Sequence, residues 1–163
     1  MNKSTFLTNI NENWQIWQAF LAQVSPERLE QPGAAGDWSL KDVIAHITWH
    51  EDQMLGVIRN RALRGSPWWN LALDDRNRLI YEQYRDAPLE QVLQESFKVH
   101  TALLAALQDF DEAALNDPAL IDDLPPEWIP WQLISDNTYG HYEEHRQDVL
   151  RMISPPPHPL DYV

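Results

Sequence analysis

The chain has 163 residues, and its 44% apolar content with eight tryptophans excludes a disordered polymer and suits one domain with a sizeable core. A net charge of −13, from 12 basic against 25 acidic side chains, argues against nucleic acid or an anionic membrane surface as partner. The chain has no cysteine, which removes disulfides, thiolate ligands and cysteine nucleophiles, and no apolar run approaches the roughly 18 residues of a membrane span.

The N-terminus, "MNKSTFLTNINENWQ", is too polar for a secretory leader, so a cytoplasmic protein acting on a small molecule or binding another protein is expected. Helical spacing starts at once: Phe6, Ile10, Trp14, Trp17, Leu21 and Val24 recur at three- and four-residue steps. "SPERLEQPGAAGDW" interrupts them as a loop. Ser39 can cap a second helix, with Asp42 in its first turn. The inward stripe of that helix reads Leu40, Val43, Ile44, Ile47, Met54, Leu55 and Ile58, and Gly65 and Pro67 should end it.

A mixed helical stretch, "NLALDDRNRLIYEQYRD", stops before Pro88. A clean one follows from Leu89, with Val92, Leu93, Ser96, Phe97, His100, Leu103, Leu104 and Leu107 on its stripe. Between Asp109 and Pro130 a short helix at "DEAAL" is expected, because so long a structureless loop is unusual in a compact domain. The last helix is predicted from about Trp131 to Ile153, where "SPPPHP" ends it. No alternating strand pattern stands out. Four long amphipathic helices imply an all-α four-helix bundle over residues 1–153, followed by a proline-rich tail, 154–163.

At about 100° per residue, Ile134, Thr138, His141, His145, Val149 and Met152 share one face of the last helix. His141 and His145 therefore point inward, four apart, close enough to share one cation. The second helix offers His46 and His50 at the same spacing, on the flank of its apolar stripe. His100 lies in the stripe of the third long helix, where a hydrogen-bonded core residue is the commoner reading, and His158 sits apart in the tail. Glu51 falls inside an apolar stripe, where an unpaired carboxylate is costly. It could pair with a buried cation, ligate a metal, act as a base, or reach water at the open end of the bundle. Trp49, Trp68, Trp69, Trp128 and Trp131 could line a cavity mouth or simply close the end of the bundle, and Tyr142 lies towards the histidine face.

"WSLKDVIAHITWHE" and "GHYEEHRQDV" resemble the DinB/YfiT-like superfamily, and within it the ClbS/DfsB-type four-helix proteins. The likeness runs from the first helix to Ile153. It implies a three-histidine site for a divalent ion, typically nickel or zinc, at His46, His141 and His145; Glu51 and Tyr142, from their positions on the helices, are the candidate catalytic groups beside it. ClbS-type members often lose the second of the last-helix histidines, whereas this chain keeps His145. His50 has no settled counterpart, and a homodimer is compatible with related bundles. Three imidazoles leave coordination positions open, which suits hydrolysis or transfer to the thiol of a cosubstrate. The alternatives are a metal-free protein of ClbS type that binds or hydrolyses a toxic electrophile, and a bundle that only binds a ligand.

Overall fold

A computed structural model describes residues 1–63 and 66–153; Gly65, the proline tail and His158 lie outside the described residues. Four long helices carry the core: α1 (Lys3–Leu21), α3 (Leu40–Asn60), α5 (Leu89–Asp109) and α8 (Tyr139–Ile153). Shorter helices fill the connections: α2 (Pro26–Leu29), α4 (Leu73–Tyr84), α6 (Glu112–Asn116) and α7 (Pro130–Asp136), with 3-10 turns at Pro67–Asn70 and Pro118–Leu120. None of the helices among the described residues is long and apolar enough to cross a membrane.

Local chemistry sets the helix ends. Asn2 caps α1 through Oδ1, which accepts from the Thr5 amide. Ser39 and Asp42 form a reciprocal capping box on α3, since Ser39 Oγ accepts from the Asp42 amide and Asp42 Oδ2 from the Ser39 amide. That helix stops earlier than Pro67, at Asn60, because Arg61 turns into the left-handed region at φ 49°.

The structure corrects two further expectations. A two-stranded antiparallel ribbon, β1 (Pro32–Ala35) with β2 (Trp38–Ser39), occupies the first loop, and Gly36 takes the positive φ of its turn. The predicted last helix is broken in two: α7 ends at Asp136, Asn137 and Thr138 form a turn, and α8 starts at Tyr139. Thr138 Oγ1 bonds back to the Ile134 carbonyl, and a Cβ on Gly140 would lie 3.0 Å from the Ser135 carbonyl oxygen, so any larger residue would press on the junction.

The apolar spacings of α1 and α3 all turn inward, as do Val92, Leu103 and Leu107 of α5. Leu93 and Phe97 do not, Phe97 being 64% exposed. They sit one position round from Val92 and Ser96, outside the strip that α5 packs against its neighbours. The core divides into two apolar clusters. One gathers Trp14, Trp17, Leu40, Ile44 and Met152; the other gathers Phe6, Ile10, Met54, Leu103 and Ile134. Along α3 the first cluster ends at Ile47 and the second begins at Met54. The residues between them include His50 and Glu51, so polar groups are buried half-way along the bundle.

Candidate metal centre

Four histidines meet in this region. α3 presents His46 and His50 on successive turns, and α8 presents His141 and His145. His46 Nε2 lies 3.1 Å from His141 Nε2. His46, His50 and His141 are buried and each offers a ring nitrogen within 4.8 Å of the others. The His145 ring stands 5.0 Å from that of His141 and 5.5 Å from that of His46. His50, whose part was open on spacing alone, thus joins the group, and His145 flanks it.

The flanking rings are oriented from outside. His50 Nδ1–H donates to Asn137 Oδ1 at 2.8 Å, and His145 Nδ1–H donates to Asp148 Oδ2 at 2.6 Å. Each bond places the proton on Nδ1 and leaves Nε2 as a lone pair, the tautomer that a ligating imidazole needs. Asn137 is available because of the break between α7 and α8, and its own amide donates to the Leu133 carbonyl. Asp148 is held in turn by Arg151, whose guanidinium also bonds the Ala34 carbonyl of the ribbon.

Burial pushes the His46 pKa down to about 2, with the neighbouring His50 and His145 adding to it, and pushes His50 to about 4. His141 moves further in the same direction, mainly from burial and then from His50 and His46. All three are neutral at pH 7, as metal ligands must be. In the absence of metal they make the fold acid-sensitive. The unfolded chain takes up protons below its ordinary histidine pKa of about 6.5, while the folded chain does not. Stability is therefore complete above that pH and declines as pH falls towards 4, by about 1.4 kcal/mol per unit for each histidine. Urea titrations of metal-free protein at pH 7 and pH 5 should show a loss of several kcal/mol; equal midpoints would contradict it.

The cluster fits a cation better than it fits itself. Two nitrogens about 2.1 Å from one ion lie roughly 3 to 3.4 Å apart, which is the separation of the His46 and His141 Nε2 atoms. Without an ion, one must donate to the other, and Nε2 of His50 stays buried without a hydrogen-bond partner; an ion would engage these Nε2 atoms, whereas Nδ1 of His46 and of His141 has no partner in either state. Each such orphan costs about 1–3 kcal/mol.

A cavity of about 610 Å³ opens beside the cluster, lined by Trp69, Trp128, Leu133, Arg76 and Asn137 among others. Trp69 packs edge-on against His50, 5.7 Å between ring centroids, and Trp49 packs edge-on against the same ring at 4.9 Å. Trp128 is 44% exposed at the cavity. Trp69 and Trp128 therefore line a cavity, whereas Trp131 packs against the second apolar cluster.

Glu51 and Tyr142 lie one residue beyond His50 and His141. Glu51 is fully buried, so it does not reach water at the bundle's end. Its Oε1 accepts from the Tyr142 hydroxyl and lies 3.3 Å from His100 Nδ1. His100 stacks on Trp14 with 3.9 Å between centroids, and Trp17 stacks on Tyr142. Burial and the Glu51 charge raise the Tyr142 pKa well above that of a free phenol. This network draws on all four long helices, and His100 is a core residue with a partner.

A family model described as the DinB superfamily matches residues 9–147. The chain belongs to the DinB superfamily. This superfamily includes metal-binding enzymes. The DinB chain is also similar in fold to the crystal structure of an uncharacterised protein from Escherichia coli UTI89, with a TM-score of 0.75 and 17% identity over 93% of this chain and 92% of that one. No curated protein matches it.

Proposed function

We propose that this DinB protein is a divalent-metal-dependent enzyme, of hydrolase or thiol-transferase type, acting on a small reactive molecule. The observation that carries the proposal is the pair of buried Nε2 atoms 3.1 Å apart, with His50 in the same group, beside a cavity of substrate size. His46 and His141 would hold the ion, flanked by His50 and His145, whose Nε2 lone pairs are set by Asn137 and Asp148. An all-imidazole donor set suits nickel or zinc. When bound, such an ion supplies Lewis-acid polarisation of a substrate atom. The chain's own residues orient the imidazoles, and the indoles of Trp49 and Trp69 shield His50 from water. Any thiol must come from a cosubstrate, since the chain has no cysteine. Glu51 and Tyr142, being enclosed, serve as positioning residues that tie α3 to α8 and so hold the two histidine pairs in register.

Elemental analysis of untagged protein purified without chelators should find close to one equivalent of nickel or zinc. No bound metal after both are supplied would overturn the proposal. A second reading, a metal-free binder or hydrolase of ClbS type, is favoured by the aromatic cavity and by the motifs around His46 and His141. Full turnover in metal-stripped protein would select it.

A further inference from the structure

Arg76 is the anomaly of the cavity wall. The chain has about twice as many acidic as basic side chains, yet no carboxylate among the described residues forms an ion pair with Arg76, and its Nε is buried without a hydrogen-bond partner. The other arginines of its own helix and the next turn are paired: Arg78 with Asp75 and Glu82, Arg85 with Asp86. What holds Arg76 is Trp69, with the guanidinium carbon 5.1 Å from the ring centroid. Trp69 itself has a buried Nε1–H with no acceptor. Both residues line the same cavity as Asn137, the residue that orients His50.

A half-buried guanidinium is costly unless an anion satisfies it, and none of the described residues supplies one. The charge of Arg76 also reaches the histidines, helping to lower the pKa of His46, His50 and His141. The cavity is therefore a local positive focus in a strongly acidic protein, with apolar walls at Trp69, Trp128 and Leu133. Low-dielectric walls concentrate such a field on an incoming anion.

We propose that the substrate carries a carboxylate on a flat apolar body, and that Arg76, backed by the Trp69 indole N–H, is its specificity-determining contact. The fork of the guanidinium matches two carboxylate oxygens, and the indoles receive the apolar part. Seated there, the molecule lies against Trp69 and Asn137, both of which contact His50. The proposal deepens the enzymatic reading by naming the substrate class of the same site, but anion binding at Arg76 is measurable whether or not a metal is present.

The test is calorimetric titration of full-length protein, as isolated and after metal stripping, with 1-naphthoate and its neutral counterpart 1-naphthamide. In both samples naphthoate should bind about tenfold more tightly than the amide, a preference that weakens with added sodium chloride. Arg76→Gln should abolish the preference by weakening naphthoate binding; among the described residues the contact it loses is the Trp69 face, so the variant should fold. Equal affinity for the two probes in wild type, no binding of either, or an unchanged preference in Arg76→Gln would each overturn the proposal. A preference that persists in protein unable to bind metal would uphold it while the metal reading fails.

Discussion

The double variant His46→Leu/His141→Leu should be at least as stable as the wild type in metal-free buffer, and should bind no nickel or zinc. This outcome separates ligands from ordinary core histidines. In the metal-free fold the pair makes one mutual contact and leaves both Nδ1 atoms buried without partners. Exchanging both rings for leucines of similar size removes those orphans, and replacing both partners of a buried polar contact is neutral or stabilising, here by about 1–2 kcal/mol. Addition of metal should reverse the order. An ion at a hundred times its dissociation constant adds about 2.7 kcal/mol to the wild type, a rise of several degrees in Tm, and adds nothing to the variant. Thermal melts with and without nickel or zinc check both signs. A variant weakened by more than about 2 kcal/mol, beside a wild type that metal does not shift, would mean that the pair is a satisfied core contact.

Glu51→Ala is expected to cost about 3–5 kcal/mol of stability. The side chain is fully buried, and its loss leaves a cavity and strips the Tyr142 hydroxyl and His100 Nδ1 of their shared acceptor. Tyr142→Phe removes one donor and keeps the ring packed between Trp14 and Trp17, so about 1–3 kcal/mol is expected. Because this network joins α3 to α8, metal affinity should fall in both variants, and more in Glu51→Ala. Urea unfolding of the metal-free proteins measures the first effect and metal titration the second. A Glu51→Ala protein within about 1 kcal/mol of wild type would remove the positioning role.

Much of the fold is legible in one dimension because helices announce themselves by period and by caps. The stripes of α1 and α3 and the Ser39–Asp42 box are local patterns, and all are realised. The break before α8 is not visible in the same way. Ile134, Thr138 and His141 keep helical spacing straight across it, so the buried stripe continues while the hydrogen-bond ladder does not. The signal was "DNTYG", where an asparagine able to end a helix precedes a glycine that permits close approach. Phe97 shows the opposite case: an apolar residue beside a stripe looks like part of it in sequence, yet stays 64% exposed in the packed bundle.

The site divides along the same line. Inward histidine pairs on two helices could be read from i, i+4 spacing, but the partners that set their tautomers could not all be. Asp148 is three residues from His145 and lies within reach of local reasoning, whereas Asn137 reaches His50 across 87 positions. The link between Glu51, His100 and Tyr142 joins three helices and needs the packed bundle to exist. Arg76 carries no sequence signal, since its meaning comes from the lack of a carboxylate beside it among the described residues.

The central claim is that one divalent ion sits between α3 and α8. Anomalous diffraction from crystals grown with one equivalent of nickel, recorded on both sides of the nickel edge, tests it most directly. The account predicts one strong peak about 2.1 Å from Nε2 of both His46 and His141. A map with no peak there, or with nickel only at surface carboxylates, would contradict it.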